Sequence, residues 1–319
     1  MLPENLSQLV SDTYATAAAN GHVQFTESAT NKFKDPKTGI QYVVSYAPSL
    51  LKKPERADQE AKASNPFEKP EPELTVSTDI TGDGEYKLLL NKFPVVPEHV
   101  LLVTNEYKQQ TSPLSPKDLI TAYSLLDKLD DEDEDVRHMV FYNCGPSSGS
   151  SLDHKHLQLL KLPQKFTPFQ DRLCNGRDFF LPDVQNEPLQ DNKVAFSHFV
   201  VPLPEESSKV DEDTLAMVYA GLLQRALTFF QNWTDEKPRL SVGYNFMMTK
   251  RWVCMVPRSA ARSDEQNIGF NATGYVGLVL VKYEETLKNI TENPHLIDEV
   301  LLECGFPNTA GQKPTEYHY

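Results

Sequence analysis

The residues best suited to chemistry are two histidines and a glutamine at alternate positions in the segment HKHLQ, residues 154–158. In a β-strand successive side chains point to opposite faces, so His154, His156 and Gln158 would share one face. Such a group could bind a metal ion or attack an electrophile. As metal ligands the histidines would need a third partner, commonly a carboxylate or another histidine, and glutamine is a poor zinc ligand. We therefore predict no metal site here.

The loop before the histidines, CGPSSGSSL at residues 144–152, favours an anion-binding interpretation. An isolated pair of histidines in a strand is usually an ordinary hydrogen-bonded pair. Here Gly145 and Gly149 let the backbone bend around an anion, while serine hydroxyls and main-chain amides can donate to phosphate oxygens. A phosphate-binding loop followed by a histidine pair is typical of nucleotidyl transfer, in which a neutral imidazole attacks phosphorus and forms a phosphoramidate.

The elements around the motif are predicted to be strands and helices in mixed order. Strands are expected at 136–143 and 151–162, on either side of the loop. Upstream, Ser115 is predicted to cap a helix that has Pro116 at its first position and Asp118 in a capping box. The two strands and the turn that joins them would hold the motif.

Two further helices are predicted in the second half of the chain. One begins after a cap at Asp213, because apolar residues recur there with helical spacing and form a stripe that faces the core. The stripe consists of Leu215, Val218, Tyr219, Leu222, Leu223, Ala226, Leu227 and Phe230. The last helix is expected to begin near Asn271 and to carry Leu278 and Lys282 one turn apart.

Composition restricts the possible partners and compartment. The chain has 31 basic and 45 acidic residues, a net charge of -14, which opposes the phosphate neutralisation on which nucleic-acid binding depends. A few lysines in one cleft could still bind a small polyanion. Four cysteines without metal or disulfide spacing predict a reducing compartment. No apolar run approaches a membrane span, so we expect no membrane contact and a cytoplasmic protein, with the nucleus also open.

At the motif the chain resembles a known family. HKHLQ is similar to the HxHxQ form of the histidine-triad superfamily motif, and SSGSSLDHKHLQ resembles the fungal diadenosine tetraphosphate phosphorylases, also called ATP adenylyltransferases. The resemblance extends to APSLLKKP near Lys53, NPF at Asn65, LLNKFPVVPEHVLLVT from Leu89 and FNATGYVGLVLVK from Phe270. It covers most of the chain in order.

The resemblance implies an α+β fold with a histidine-triad-like antiparallel sheet and flanking helices. Tyr86 precedes Lys92 by the interval that separates Tyr244 from Lys250, which hints at two related halves. We expect a single composite catalytic domain over residues 1–319. Its first half, 1–162, would hold the histidine motif, and its second half, 163–319, would contribute residues to the nucleotide site.

The resemblance also implies roles for single residues. His156 would be the nucleophile that takes AMP, His154 would orient it, and Gln158 would contact the transferred phosphate. For Lys92 and Lys282 a plain surface charge remains an alternative. The implied substrate-binding residues are Lys53, Asn91, Lys92, Asn143, Gly149, Ser150, Ser151, Leu152, Gln158, Asn271, Ala272, Thr273, Leu278 and Lys282.

The implied reaction is phosphorolysis of diadenosine tetraphosphate to ADP and ATP through an AMP-histidine intermediate. It would be reversible and could extend to adenylyl sulfate. A divalent cation such as Mg²⁺ is expected to arrive with the nucleotide, because no carboxylate cluster marks a protein-held site. We expect a monomer or a homodimer.

Three alternatives remain open. A hexose-1-phosphate uridylyltransferase would typically have proline where Lys155 separates the histidines. A dinucleoside polyphosphate hydrolase would have a histidine at the third motif position, whereas Gln158 can only hydrogen-bond and does not titrate. A nucleotide-binding protein that does not react is the third alternative.

Overall fold

The computed structural model of the chain describes residues 2–48, 65–183, 185–234 and 243–312, without the side chains of 229–234. The helices are α1 (Leu6–Ala19), α2 (Pro116–Leu129), α3 (Phe169–Cys174), α4 (Glu212–Thr234), α5 (Glu284–Glu292) and α6 (Leu296–Glu303). The strands are β1 (Ala29–Lys34), β2 (Gln41–Tyr46), β3 (Thr75–Ser77), β4 (Tyr86–Leu90), β5 (Val100–Thr104), β6 (His138–Cys144), β7 (His156–Lys161), β8 (Phe199–Pro202), β9 (Gly243–Met248), β10 (Trp252–Arg258), β11 (Arg262–Ser263), β12 (Ile268–Gly269) and β13 (Leu278–Val281). Among these helices none is both long and apolar enough to cross a membrane.

Eight strands form one sheet in the order β3-β4-β5-β7-β6-β9-β10-β8, and every neighbouring pair is antiparallel. The predicted α+β class with an antiparallel sheet and flanking helices is confirmed. A smaller sheet, β1-β2-β13, packs against the large one, and in it β13 runs parallel to β2. The last strand of the C-terminal region therefore pairs with a strand from the N-terminal region.

Within the large sheet, the six adjacent strands from β5 to β8 are arranged symmetrically about the β6–β9 pair. On one side β6 is followed by β7 and β5, and on the other β9 is followed by β10 and β8. In chain order each set of three strands contains one strand, a helix and then a two-stranded hairpin. The first set is β5, α2, β6 and β7, and the second is β8, α4, β9 and β10. The chain thus contains a repeated unit. The interval shared by Tyr86 and Tyr244 aligns β4 with β9, which are not equivalent in this order, so that part of the prediction is wrong.

The two faces of the large sheet carry different cores. Helices α1, α2 and α4 cover one face, where Leu102, Leu157 and Phe246 are buried. The small sheet with α3, α5 and α6 covers much of the other face, where Phe141 and Cys254 are buried. On this second face the strip formed by β4, β5 and β7 has its own small cluster, made by Phe67, Leu89, Leu101, Val103 and Leu152. The histidine motif lies on this strip.

The structure corrects one boundary near the motif. Strand β7 begins at His156 and not at Ser151, while His154 forms an isolated bridge with Gln109. The predicted cap of α2 is confirmed, since Ser115 and Asp118 form the capping box. Strand β7 is therefore shorter at its start than the predicted strand, and residues 151–155 belong to the connection between β6 and β7.

The second half contains further corrections. Residues 278–281 form β13 and not a helix, because Gly277, with a φ of +102°, ends the short 3₁₀ helix that Asn271 caps. The run LVLV then alternates partly buried and buried residues as a strand does. Helix α4 begins at Glu212, and Asp211, not Asp213, accepts a hydrogen bond from the amide of Thr214. In its stripe Leu227 is exposed, and Phe230 lies outside the described side chains.

A buried ion pair lies beneath the motif. Lys155 points away from the face of the two histidines, is 3% exposed and donates to the carboxylate of Asp118 and to the carbonyl of Pro113. Asp118 also accepts from the hydroxyl of Tyr86 and from the amide of Ser115. Burial acts to raise the pKa of Asp118, but the Lys155 ammonium and these hydrogen bonds lower it overall. The pair ties the start of β7 to the beginning of α2.

We predict that Lys155→Met lowers the free energy of unfolding by about 3–5 kcal/mol, because Asp118 then remains charged and unpaired in the core. The double variant Lys155→Met/Asp118→Asn should recover much of this loss, since it removes both charges and keeps the shape. Urea denaturation of the three proteins measures both effects. A double variant no more stable than Lys155→Met would show that the charge pair is not the cause.

Candidate active site

His156 is the first residue of β7, between β5 and β6, and is 5% exposed. Its ring Nδ1 lies 2.8 Å from the carbonyl oxygen of His154. A carbonyl can only accept, so Nδ1 carries the proton and Nε2 keeps a lone pair. Burial lowers the pKa of His156 to about 4, so the ring is neutral at physiological pH. Within the described residues Nε2 makes no hydrogen bond. The arrangement provides a neutral nitrogen nucleophile.

His154 uses both ring nitrogens for contacts within the protein. Its Nε2 donates to the carbonyl oxygen of Thr104 at 2.7 Å, and its Nδ1 accepts from the side-chain amide of Asn65 at 2.8 Å. The rings of Phe67 and Tyr107 meet the imidazole edge-on. Burial lowers the pKa of His154 as well. With both nitrogens engaged, the chemistry left to His154 is to hold His156 through its main-chain carbonyl.

Gln158 follows His156 on the same face of β7. It lies opposite Leu101 on β5 and Phe141 on β6, and it is half-buried. In the part of the chain that the structure describes, its side-chain amide has no hydrogen-bond partner. The amide can therefore bind a ligand placed over this face.

The loop between β6 and β7 depends on a glycine at one position. Gly149 has a φ of +84°, and a Cβ there would lie 2.6 Å from the carbonyl oxygen of Phe270 and 3.1 Å from the Cα of Asn271. Next to it Ser150 is nearly buried and donates to the carbonyl of Leu152, while Ser151 is exposed. The loop therefore lies directly against the segment that begins at residue 270.

Asn143 connects the same two segments beside the nucleophile. It is buried on β6, and its Oδ1 accepts from the main-chain amide of Ala272 at 3.1 Å and from the side chain of Asn245 at 2.8 Å. Asn271 in turn caps the amide and hydroxyl of Thr273 with its own Oδ1. Four of the predicted positions, Asn143, Asn271, Ala272 and Thr273, are thus connected through these hydrogen bonds and the chain itself.

Arg258, at the end of β10, holds these segments from below and was not found by sequence reasoning. It is fully buried and donates to the carbonyls of Ser148 and Phe270 and to Oδ1 of Asn245. Its guanidinium also lies over the ring of Tyr275. Among the described residues it forms no ion pair with a carboxylate. A charged residue that ends an apolar strand is normally exposed, so the sequence offered no signal for this role.

A second buried cation on this face was also missed. Lys87 on β4 lies opposite Val103, which lies opposite His156, so the three side chains form a row across the sheet. Lys87 is 7% exposed, donates to the carbonyl of Phe67, and within the described residues has no carboxylate partner. Burial lowers the pKa of this amine.

The other predicted substrate-binding residues either bind different partners or have no described contact with the histidines. The ammonium of Lys92 pairs with Glu71 at the surface. Asn91 donates to His99 and accepts from the amide of Phe93. Leu278 lies on β13 and Lys282 follows it, and no described contact links either side chain to the histidines. Lys53 lies outside the described residues.

The site itself holds no cluster of metal ligands among the described residues. Elsewhere in the described part of the chain, Asp35, His295 and Asp298 could hold a metal ion, with their ligand atoms within 4.8 Å of one another. None of the three belongs to the histidine site. His295 pairs with Asp35 at 2.9 Å, and Asp298 accepts from the amide of Ala195.

Comparisons with known proteins agree over the whole chain. A profile of the Ap4A phosphorylase N-terminal domain matches residues 1–173, and one of the ATP adenylyltransferase C-terminal domain matches residues 192–307. Diadenosine 5',5'''-P1,P4-tetraphosphate phosphorylase 2 of Saccharomyces cerevisiae is 59% identical, over 100% of both chains. The crystal structure of yeast Ap4A phosphorylase Apa2 has a TM-score of 0.91, 57% identity and 100% coverage of both chains. The same protein in complex with Ap4A gives 0.88 and 54%, over 97% of this chain and 100% of that one.

We predict that Gly149→Ala lowers stability more than a matched glycine substitution. An alanine at φ +84° is strained, and its methyl group would also push Phe270 and Asn271 away. The control is Gly84→Ala, at φ +78° with nothing within 4 Å. Strain alone costs about 1–3 kcal/mol, so Gly149→Ala should exceed its control by a further ~1 kcal/mol or more. Urea denaturation decides, and equal losses would show that the two segments do not pack closely.

Proposed function

The chain belongs to the family of Ap4A phosphorylases and ATP adenylyltransferases, and on that premise we propose that it cleaves diadenosine tetraphosphate with inorganic phosphate to give ATP and ADP. The observation that carries the proposal is the neutral, inward-facing His156 with a free Nε2. It lies beside a glycine-containing loop suited to phosphate. The enzyme is a nucleotidyltransferase, and the reaction runs in both directions.

In the first step Nε2 of His156 attacks an α-phosphorus of the substrate. A P–N bond forms while the bond from that phosphorus to its bridging oxygen breaks, and ATP leaves. The ring gains positive character as the bond forms, and the hydrogen bond from Nδ1 to the carbonyl of His154 stabilises that charge. This division into two displacements is the advantage of a covalent intermediate.

In the second step an oxygen of inorganic phosphate attacks the same phosphorus. The P–N bond breaks, ADP leaves, and His156 returns to its neutral form. Gln158 binds the transferred phosphoryl group but cannot remove a proton from water, whereas phosphate arrives already ionised. Transfer to phosphate is therefore favoured over hydrolysis. Adenylyl sulfate has the same α-phosphorus and would react at this site in the same way.

We assign the substrate's phosphates to the junction of the two segments. Within the described residues the main-chain amides of Ser151, Leu152 and Asn271 remain able to donate, whereas those of Gly149, Ala272 and Thr273 already donate inside the protein. The charge of Arg258 lies beneath both segments. Residues 163–319 thus complete the site of a single catalytic unit. Lys92 would have to leave Glu71 to reach a phosphate, and roles for Lys53, Asn91, Leu278 and Lys282 stay predictions. So do a cytoplasmic or nuclear location and a monomer or homodimer.

We further propose that Mg²⁺ enters with the nucleotide. The substrate carries several negative charges that the buried cations do not fully balance, and the described site has no carboxylates to hold an ion by itself. When bound, the ion would neutralise charge on the polyphosphate.

The first test is intact-protein mass spectrometry after brief exposure to diadenosine tetraphosphate without phosphate. Wild type should gain the mass of one AMP, and added phosphate should discharge it as ADP. His156→Ala should show no adduct, while the control His22→Ala should behave as wild type. Discharge by water would assign the protein to the hydrolases, and an adduct that persists in His156→Ala would remove His156 from its role.

The second test is removal of divalent cations. Excess EDTA should lower the rate of ADP formation at least tenfold, since a metal ion bound to phosphate contributes roughly several kcal/mol, and Mg²⁺ added above the chelator should restore it. Asp298→Asn should show the same dependence of the rate on Mg²⁺, because the cluster of Asp35, His295 and Asp298 is not where the nucleotide-bound ion lies. An unchanged rate in EDTA would contradict the proposal.

A further inference from the structure

The ladder between β6 and β7 ends two residue positions short of His156. The two strands are in register from His138 opposite Lys161 to Phe141 opposite Gln158. Continued pairing would place Asn143 directly opposite His156. No such pair forms, although β6 continues its pairing with β9 as far as Cys144.

The side-chain amide of Gln110 occupies the place of these missing hydrogen bonds. Its Oε1 accepts from the main-chain amide of His156 at 2.8 Å. Its Nε2 donates to the carbonyl of Asn143 at 3.0 Å and to that of His156 at 3.2 Å. The amide thus satisfies the backbone groups of both strands that would otherwise bond to each other.

Gln110 itself is held firmly. It is 2% exposed, and its main-chain amide donates to the carbonyl of Asp153 at 2.7 Å. The hydroxyl of Tyr142 donates to its carbonyl. Because the side chain is fixed at its base and makes three hydrogen bonds at its tip, it acts as a rigid spacer and not as a flexible contact.

From this geometry we propose that Gln110 positions His156 for attack, by holding β6 and β7 apart so that a phosphoryl group fits between Nε2 of His156 and the side chain of Asn143. Paired strands lie about 4.8 Å apart, and directly opposite side chains on one face nearly touch. The side chain of Gln110 widens the gap between β6 and β7 where Asn143 and His156 would face each other, which is where the phosphoryl group would lie. The inference rests on the proposed function of His156, and it concerns position and not chemistry, since the side-chain amide of Gln110 hydrogen-bonds only to main-chain groups.

Two substitutions test the role. Gln110→Met keeps the length but loses all three hydrogen bonds, so the strands close or admit water and His156 loses its position. Gln110→Glu keeps the shape. When protonated its carboxyl can accept from His156 and donate to Asn143, but when ionised it has no donor and repels both carbonyls. The matched controls are the same two changes at Gln109, which is exposed and adjacent.

The measurement is the single-turnover rate of AMP-adduct formation, together with the dissociation constant for AMP and the urea midpoint. Gln110→Met should form the adduct ~100-fold more slowly, the effect expected of a misplaced reacting group, with AMP affinity within about threefold of wild type. Gln110→Glu should be slow at pH 8 and recover towards pH 5.5, because burial beside carbonyls raises the pKa of a carboxyl above its usual ~4.3. Wild type and both Gln109 variants should change little over this range.

The outcomes separate clearly. An adduct rate in Gln110→Met close to that of Gln109→Met would overturn the proposal, as would equal losses of rate and AMP affinity, which indicate general damage. If Gln110→Met does not fold, Gln110→Glu decides alone, and the absence of recovery at low pH counts against positioning. A failure of the proposed function would appear elsewhere, as the absence of any adduct in wild type.

Discussion

The main-chain carbonyl of His154 is the contact on which the site depends. It accepts the Nδ1 proton of His156, which fixes the tautomer and leaves the lone pair on Nε2. Burial then keeps the ring neutral. For the carbonyl to hold this direction, the backbone at residues 154–156 must be rigid. The ring contacts of His154, the spacer at Gln110 and the ion pair of Lys155 each fix that backbone from a different side.

The site also explains why the repeated unit is joined at β6 and β9. At that seam Asn143 from the first unit and Asn245 from the second hydrogen-bond each other, and Arg258 binds Asn245 and the loop carbonyl of Ser148. His156 belongs to the first unit, whereas Asn245 and Arg258 belong to the second. Neither unit alone contains both the loop and residues 270–273, so the contact between these segments depends on the fused chain.

The sequence predicted the parts of the site that depend on local pattern. The alternation of His154, His156 and Gln158, the glycines of the loop and the capping box at Ser115 each follow from spacing along the chain. Contacts between distant segments have no such signal. Nothing near Gln110 distinguishes it from Gln109, because the difference is which of the two faces the gap between β6 and β7. The local pattern predicts a helix over residues 278–281, because a pairing with β2, more than 200 residues away, leaves no local signal.

The distribution of buried charge indicates what completes the site. On the helix-covered face, Lys155 has a carboxylate partner of its own, Asp118. On the opposite face, which carries the histidine motif, Lys87 and Arg258 are also buried, yet within the described residues they bind only neutral oxygens. An uncompensated buried cation is costly, and a protein with a net charge of -14 has acidic groups available to pair it. Keeping these cations unpaired makes sense if an anion takes that place in the working complex, and a polyphosphate substrate is an anion of that kind. The same local potential would attract phosphate as the second reactant, so one arrangement of charge serves both steps of the transfer.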